Sequence, residues 1–197
     1  MCRSIRLLLI LTLLASPAFA QRGGDEPTAP SVELALSNQT AQLRYRAPTD
    51  IGCQSGSEVS YAVFLSEERD IVASAALLFG TTLNLGALSV QLGPQAYAAL
   101  LNEENQDVFA LAVGGQIRYD LVPTQRIAIV GSAFWSPDVL TFGEADNITD
   151  FVARAEMRLT DRVVGFAGYR WFELDLLMRE NRKLQNELFA GINWRLH

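Results

Sequence analysis

The stretch Asn186-Glu187-Leu188-Phe189-Ala190-Gly191-Ile192-Asn193-Trp194-Arg195-Leu196 decides the fold. In an extended strand Leu188, Ala190, Ile192, Trp194 and Leu196 share one face. Glu187, Phe189, Gly191, Asn193 and Arg195 share the other, because side chains alternate with a period of two. An apolar, aromatic-bearing face backed by a mostly polar one, at the end of the chain, is what closing a barrel in lipid requires.

The other end of the chain points to the same compartment. Arg3 and Arg6 precede an apolar run from Leu7 to Ala15, and Ala18-Phe19-Ala20 offers a small-x-small cleavage site. Residues 1–20 therefore read as a signal peptide cleaved after Ala20, with Gln21 as the mature N-terminus. The run is shorter than the ~20 residues of a spanning helix, and no cysteine follows to carry a lipid anchor. An exported chain with such a terminal strand belongs in the bacterial outer membrane. Residues 21–30 (QRGGDEPTAP) read as a mobile periplasmic tail, and 31–197 as the barrel.

Composition excludes several classes. Of 16 basic residues two leave with the signal peptide, against 22 acidic ones, so the net charge moves from −6 to about −8. A nucleic-acid partner would favour a basic patch. Cys53 stands alone once Cys2 is removed, so no internal disulfide or cysteine cluster is expected. The single histidine is His197. Outer-membrane proteases, phospholipases and acyltransferases use a histidine as acid–base or activating group. No nucleophile stands beside this one in sequence, so the chain reads as non-enzymatic and without a cofactor. The acidic pairs Glu67/Glu68, Glu103/Glu104 and Asp146/Asp150 read as loop residues.

Alternation recurs along the chain. Phe109, Leu111, Val113, Ile117 and Tyr119 oppose Ala110, Ala112, Gly114, Gln116 and Arg118; Ala153, Ala155, Met157 and Leu159 oppose Arg154, Glu156 and Arg158. Gly114-Gly115 inside one such run reads as a bend or tight packing site. Bacterial barrels keep both termini in the periplasm, with short turns there and longer loops outside. Counting back from the terminal strand, Leu174 to Gln185 and Ser136 to Asn147 fall outside, and Thr160-Asp161-Arg162 inside. Between Val32 and Arg46 the parity flips, which a hairpin at Ser37-Asn38-Gln39-Thr40 explains. The expected fold is all-β: a closed antiparallel up-and-down transmembrane β-barrel of ten strands. Eight, with one segment left outside the wall, is the alternative count. Leu174 to Leu188 also admits a short helix.

Charges on a lipid face cost ~2–4 kcal/mol for Arg near the midplane, so the alternating charges should face inward. The expected lumen network comprises Arg44, Arg118, Arg154, Glu156, Arg158, Arg170, Glu187 and Arg195, with Glu33 and Arg46 also on the inward faces of their strands. Its plain role is to hold a narrow barrel closed, helped by inward Phe166 and Phe189. The excess of arginine over glutamate alternatively suggests a narrow anion-preferring constriction. Arg179, Arg182 and Lys183 in the last outer loop are candidates for lipopolysaccharide phosphates. The expected partners are outer-membrane lipid and lipopolysaccharide, and the barrel-assembly machinery through the terminal strand. No nucleic acid is expected, and the barrel should be a monomer.

Several segments together resemble the YfaZ-type family of small bacterial outer-membrane proteins. They are VELALSNQTAQLRY (Val32 to Tyr45), LSVQLGPQAYAAL (Leu88 to Leu100) and FALAVGGQIRYD (Phe109 to Asp120). FWSPDVLTFGEADNITDF (Phe134 to Phe151), VVGFAGYR (Val163 to Arg170) and the closing LFAGINWRL continue the series. Ending on His197 rather than an aromatic departs from the usual barrel terminus. The resemblance implies an outer-membrane barrel and supplies no functional residues to carry over. Two other readings compete: a surface receptor acting through the long outer loops, and a soluble periplasmic barrel enclosing an apolar ligand.

Overall fold

The structure is a computed structural model that describes residues 29–49, 57–67, 69–82, 88–102, 106–122, 127–143, 145–176 and 182–196. The signal peptide, most of the tail, Cys53, Arg179 and His197 lie outside the described residues. The strands are β1 (Ser31–Ser37), β2 (Thr40–Pro48), β3 (Glu58–Ser66), β4 (Ile71–Thr82), β5 (Leu88–Leu101) and β6 (Gln106–Val122). They continue with β7 (Ile127–Ser136), β8 (Thr141–Phe142), β9 (Ala145–Arg158), β10 (Val163–Leu176) and β11 (Arg182–Arg195). Each strand except β8 pairs antiparallel with its neighbours, β7 joins β9 directly, and β1 pairs with β11. The result is a closed ten-strand barrel, with β8 attached to the edge of β6 beyond the end of β7.

The hairpin expected at the parity flip is present. Ser37 Oγ accepts a hydrogen bond from the Thr40 backbone N–H at 3.0 Å and fixes the turn between β1 and β2. At the opposite end Thr160 Oγ1 accepts from the backbone N–H of Val163 at 3.1 Å, tightening the β9–β10 turn. The first and last strands of the barrel also meet at this end, where the Leu196 N–H donates to the Pro30 carbonyl at 2.6 Å.

Apolar side chains point outward. Leu34, Leu43, Val63, Ile117, Ile129, Met157 and Ile192 are exposed around the wall. Trp194 and Tyr119 lie toward the termini; Trp135, Phe151, Tyr169 and Trp171 lie toward the far end. Leaving such a surface in water would forgo about 25 cal/mol for each Å² of apolar area. Lipid removes that penalty, and aromatic girdles at both ends suit its interfaces. The barrel is a transmembrane one.

The long outer segments differ from expectation. Leu174 to Leu188 contains no helix among its described residues: β10 runs to Leu176 and β11 starts at Arg182. Leu174 and Leu184 are buried inside the barrel, so these apolar residues extend the strands. After β7 the chain makes a 3-10 turn at Asp138–Leu140, held by the Leu140 N–H to Pro137 carbonyl bond of 3.0 Å, then rejoins β6 through β8. Asp150 is in β9 and buried, not in a loop, because Ile148, Asp150 and Val152 continue the inward parity of Arg154.

Candidate functional site

Closing the wall brings inward charges from five strands into one chain. Glu33 Oε2 on β1 accepts hydrogen bonds from Arg46 Nη2 on β2 and Arg154 Nη1 on β9, each at 2.9 Å. In the wall β1 and β9 are separated by β11 and β10, so the Glu33–Arg154 pair crosses the lumen. Arg154 Nη2 lies 2.6 Å from Glu156 Oε1, and Glu156 Oε2 pairs with Arg118 Nη1 on β6. Arg118 Nε reaches Asp120 at 3.2 Å, and Arg46 Nε lies 4.0 Å from Glu58 on β3. Signs alternate along the whole chain. With the Arg154 and Glu33 side chains only 4% and 2% exposed, each depends on its partner to offset the loss of water.

A second cluster sits above it, toward the far end. Arg170 grips Asp150 with two hydrogen bonds, Nε to Oδ1 at 2.9 Å and Nη2 to Oδ2 at 2.8 Å. This fork geometry is what a planar guanidinium offers a carboxylate. Tyr97 donates its hydroxyl to Asp150 Oδ2 at 2.9 Å, and Arg170 Nη1 donates to Gln42 Oε1 at 3.2 Å. The Arg170 guanidinium also lies 4.6 Å from the Phe172 ring centroid and 5.1 Å from that of Phe64. Phe172 packs edge-on to Phe64 at 5.8 Å and tilted against Tyr97 at 5.7 Å. Leu101, Val108, Ile148, Leu174 and Leu184 complete an apolar plug beyond the rings. Below, Arg154 lies 4.7 Å over Phe166, which meets Phe189 at 6.0 Å.

Gly168 makes this arrangement possible. A Cβ there would stand 2.4 Å from the Ala153 carbonyl oxygen and 2.5 Å from the Arg154 Cβ, so a side chain would push β10 off β9. The next residues, Tyr169 and Arg170, point to opposite faces; the Tyr169 hydroxyl donates to Asn186 Oδ1, outside the lumen.

Other sequence candidates are placed differently. Arg44 is half-buried and faces the lumen without a hydrogen bond or ion pair among the described residues. Arg158 is exposed near the end of β9, outside the chain of pairs, because its strand ends at the rim. Glu187 accepts a 2.5 Å hydrogen bond from the Ser37 hydroxyl rather than meeting an arginine. Arg195 is half-buried beside Ser31 at the terminal end. Lys183 is exposed; the side chain of Arg182 and all of Arg179 lie outside the described residues. Asp150, Tyr97, Gln42, Glu58 and Asp120 were absent from the sequence candidates. The signal for Asp150 was its parity, four residues before Arg154 and six before Glu156.

Among solved structures the chain is similar to a bacterial polysaccharide outer membrane secretin, with a TM-score of 0.49 and 14% identity. That match covers 80% of this chain and 56% of the secretin, so the chain spans about half its length. It is also similar to a KdgM porin, with a TM-score of 0.47 and 7% identity, covering 86% of this chain and 99% of the porin. No curated protein matches it. The family described as YfaZ precursor matches residues 29–195, a span that takes in all eleven strands, the SPDVL turn and the glycine-tyrosine-arginine segment, and the chain belongs to that family.

Proposed function

We propose that this outer-membrane barrel is a closed, non-enzymatic wall protein, whose filled interior serves its own rigidity rather than solute flow. The observation that carries this reading is Glu33 Oε2 holding Arg46 of the neighbouring strand and, across the lumen, Arg154, beneath the packed rings of Phe64, Tyr97 and Phe172. In so narrow a barrel the side chains occupy the cross-section. The arginine excess that favoured an anion channel is reduced by Asp150, Glu58 and Asp120, which pair with Arg170, Arg46 and Arg118. On this reading the signal peptide is removed after Ala20 and the barrel is a monomer without a cofactor. Its partners are lipid, lipopolysaccharide near Lys183, and the assembly machinery at β11. A soluble carrier would turn its apolar side chains inward, whereas many here face out.

Planar-bilayer recording tests this reading. The wild-type protein is expected to insert without discrete conductance steps. Reproducible steps that shrink when Arg154 is replaced by alanine would establish the narrow channel instead.

A further inference from the structure

β1 stops at Ser37, opposite Phe189, while β11 continues past it to Arg182. From Leu188 outward β11 pairs with β10 alone, and its other edge has no strand beside it among the described residues. Beneath the β1–β2 hairpin, next to this overhang, lies a small open cavity. Three arginines, Arg44, Arg154 and Arg170, line it together with the Glu33 carboxylate, Gln42 and Gln185.

The donors in this cavity are not all used. Arg170 is satisfied by Asp150 and Gln42. Arg44 stands directly across the β1–β2 ladder from Glu33, yet Glu33 Oε2 is taken by Arg46 and Arg154. Arg44 makes no hydrogen bond within the described residues, and Arg154, nine-tenths buried, keeps Nε without a partner. Unmet guanidinium donors in a sheltered cavity are costly and favour an acceptor-rich anion. Leu36 and Leu188, exposed on the two strands flanking the gap, give it an apolar rim.

We propose that this cavity is a binding site for one phosphate or carboxylate group, held by Arg44 and Arg154 and entered beside the overhanging part of β11. The site goes beyond the closed-wall reading, since it needs no path through the barrel. The same chemistry comes from a free anion or from the head of an anionic amphiphile whose tail stays in lipid. The rim favours neither by itself, and two probes separate them.

The full mature protein, refolded in neutral detergent at low salt, is titrated with inorganic phosphate and with dodecyl phosphate while ³¹P line broadening is followed. Saturable broadening by inorganic phosphate assigns the site to a free anion; saturation by dodecyl phosphate alone assigns it to an amphiphile head. Either supports the proposal, provided that Arg44→Gln weakens it about tenfold, the loss expected for a charged hydrogen bond. Arg44→Lys should fall between the two, and it stands in should Arg44→Gln fail to give the heat-modifiable folded band. No saturable binding of either probe, or binding that neither substitution weakens, overturns the assignment.

Discussion

Replacing Asp150 with alanine is expected to destabilise the barrel by about 3–5 kcal/mol, the usual cost of stranding one member of a buried ion pair. Asp150 answers both Arg170 nitrogens and the Tyr97 hydroxyl, and its own side chain and that of Arg170 are 4% and 5% exposed. Without it the guanidinium keeps Gln42 and two aromatic faces, none of them a counter-charge. The phenol loses its acceptor at the same time. Unfolding from lipid vesicles by guanidinium chloride, followed by gel mobility without boiling, reads the effect. The double variant Asp150→Ala/Arg170→Met should recover much of the loss, because an apolar replacement of both partners removes the stranded charge. A single variant as stable as the wild type would mean that water reaches this cluster and that the plug does not seal it.

The second large effect lies on the opposite face of the same strand. Ala155 is exposed on the outer face of β9, between Ala167 of β10 and Ile129 of β7. It sits between the girdle around Phe151 and the chain end that holds Arg158. Ala155→Arg is expected to cost ~2–4 kcal/mol in vesicles, the penalty for arginine on a lipid face near the midplane. Ala155→Leu, which adds apolar area to the same position, should be tolerated. Vesicle refolding with a denaturant series measures both. An arginine at 155 with no cost would place that face in water.

The wall was largely legible in the sequence, and the interior only partly so. A parity flip between Leu36 and Ala41 is a geometric fact about a chain that must keep its apolar side chains on one face. It located the first hairpin and with it the ten-strand count. The terminal strand was legible for the same reason. The rule behind both readings, apolar out and polar in, fails where the lumen is itself apolar. Leu174 and Leu184 face inward in the plug, so strand residues there read as loop or helix. Asp150 was hidden by the same failure: flanked by Ile148 and Val152 it looked like the end of a loop, although it shares their inward parity.

Partnerships across the lumen were beyond the sequence altogether. Glu33 and Arg154 are 121 residues apart and meet only because the barrel closes. Parity placed Arg44, Arg154 and Arg158 alike on the inner face. Their surroundings separate them: Arg154 is held by two carboxylates, Arg158 reaches the rim, and Arg44, across the ladder from Glu33, makes no hydrogen bond to it among the described residues. Counting arginines against glutamates also misjudged the interior, because aspartates at 120 and 150 carry part of the balance.

The central claim is that the apolar outer face lies in lipid, and the wild-type chain carries its own probes for it. All three tryptophans, Trp135, Trp171 and Trp194, stand on that face, 55%, 45% and 55% exposed. Their fluorescence, measured in vesicles of brominated phosphatidylcholine and separately with aqueous iodide, is the most direct test. The outward-facing barrel predicts strong quenching by the brominated lipid and little by iodide. Strong iodide quenching with no effect of the brominated lipid would contradict it and put this face in water.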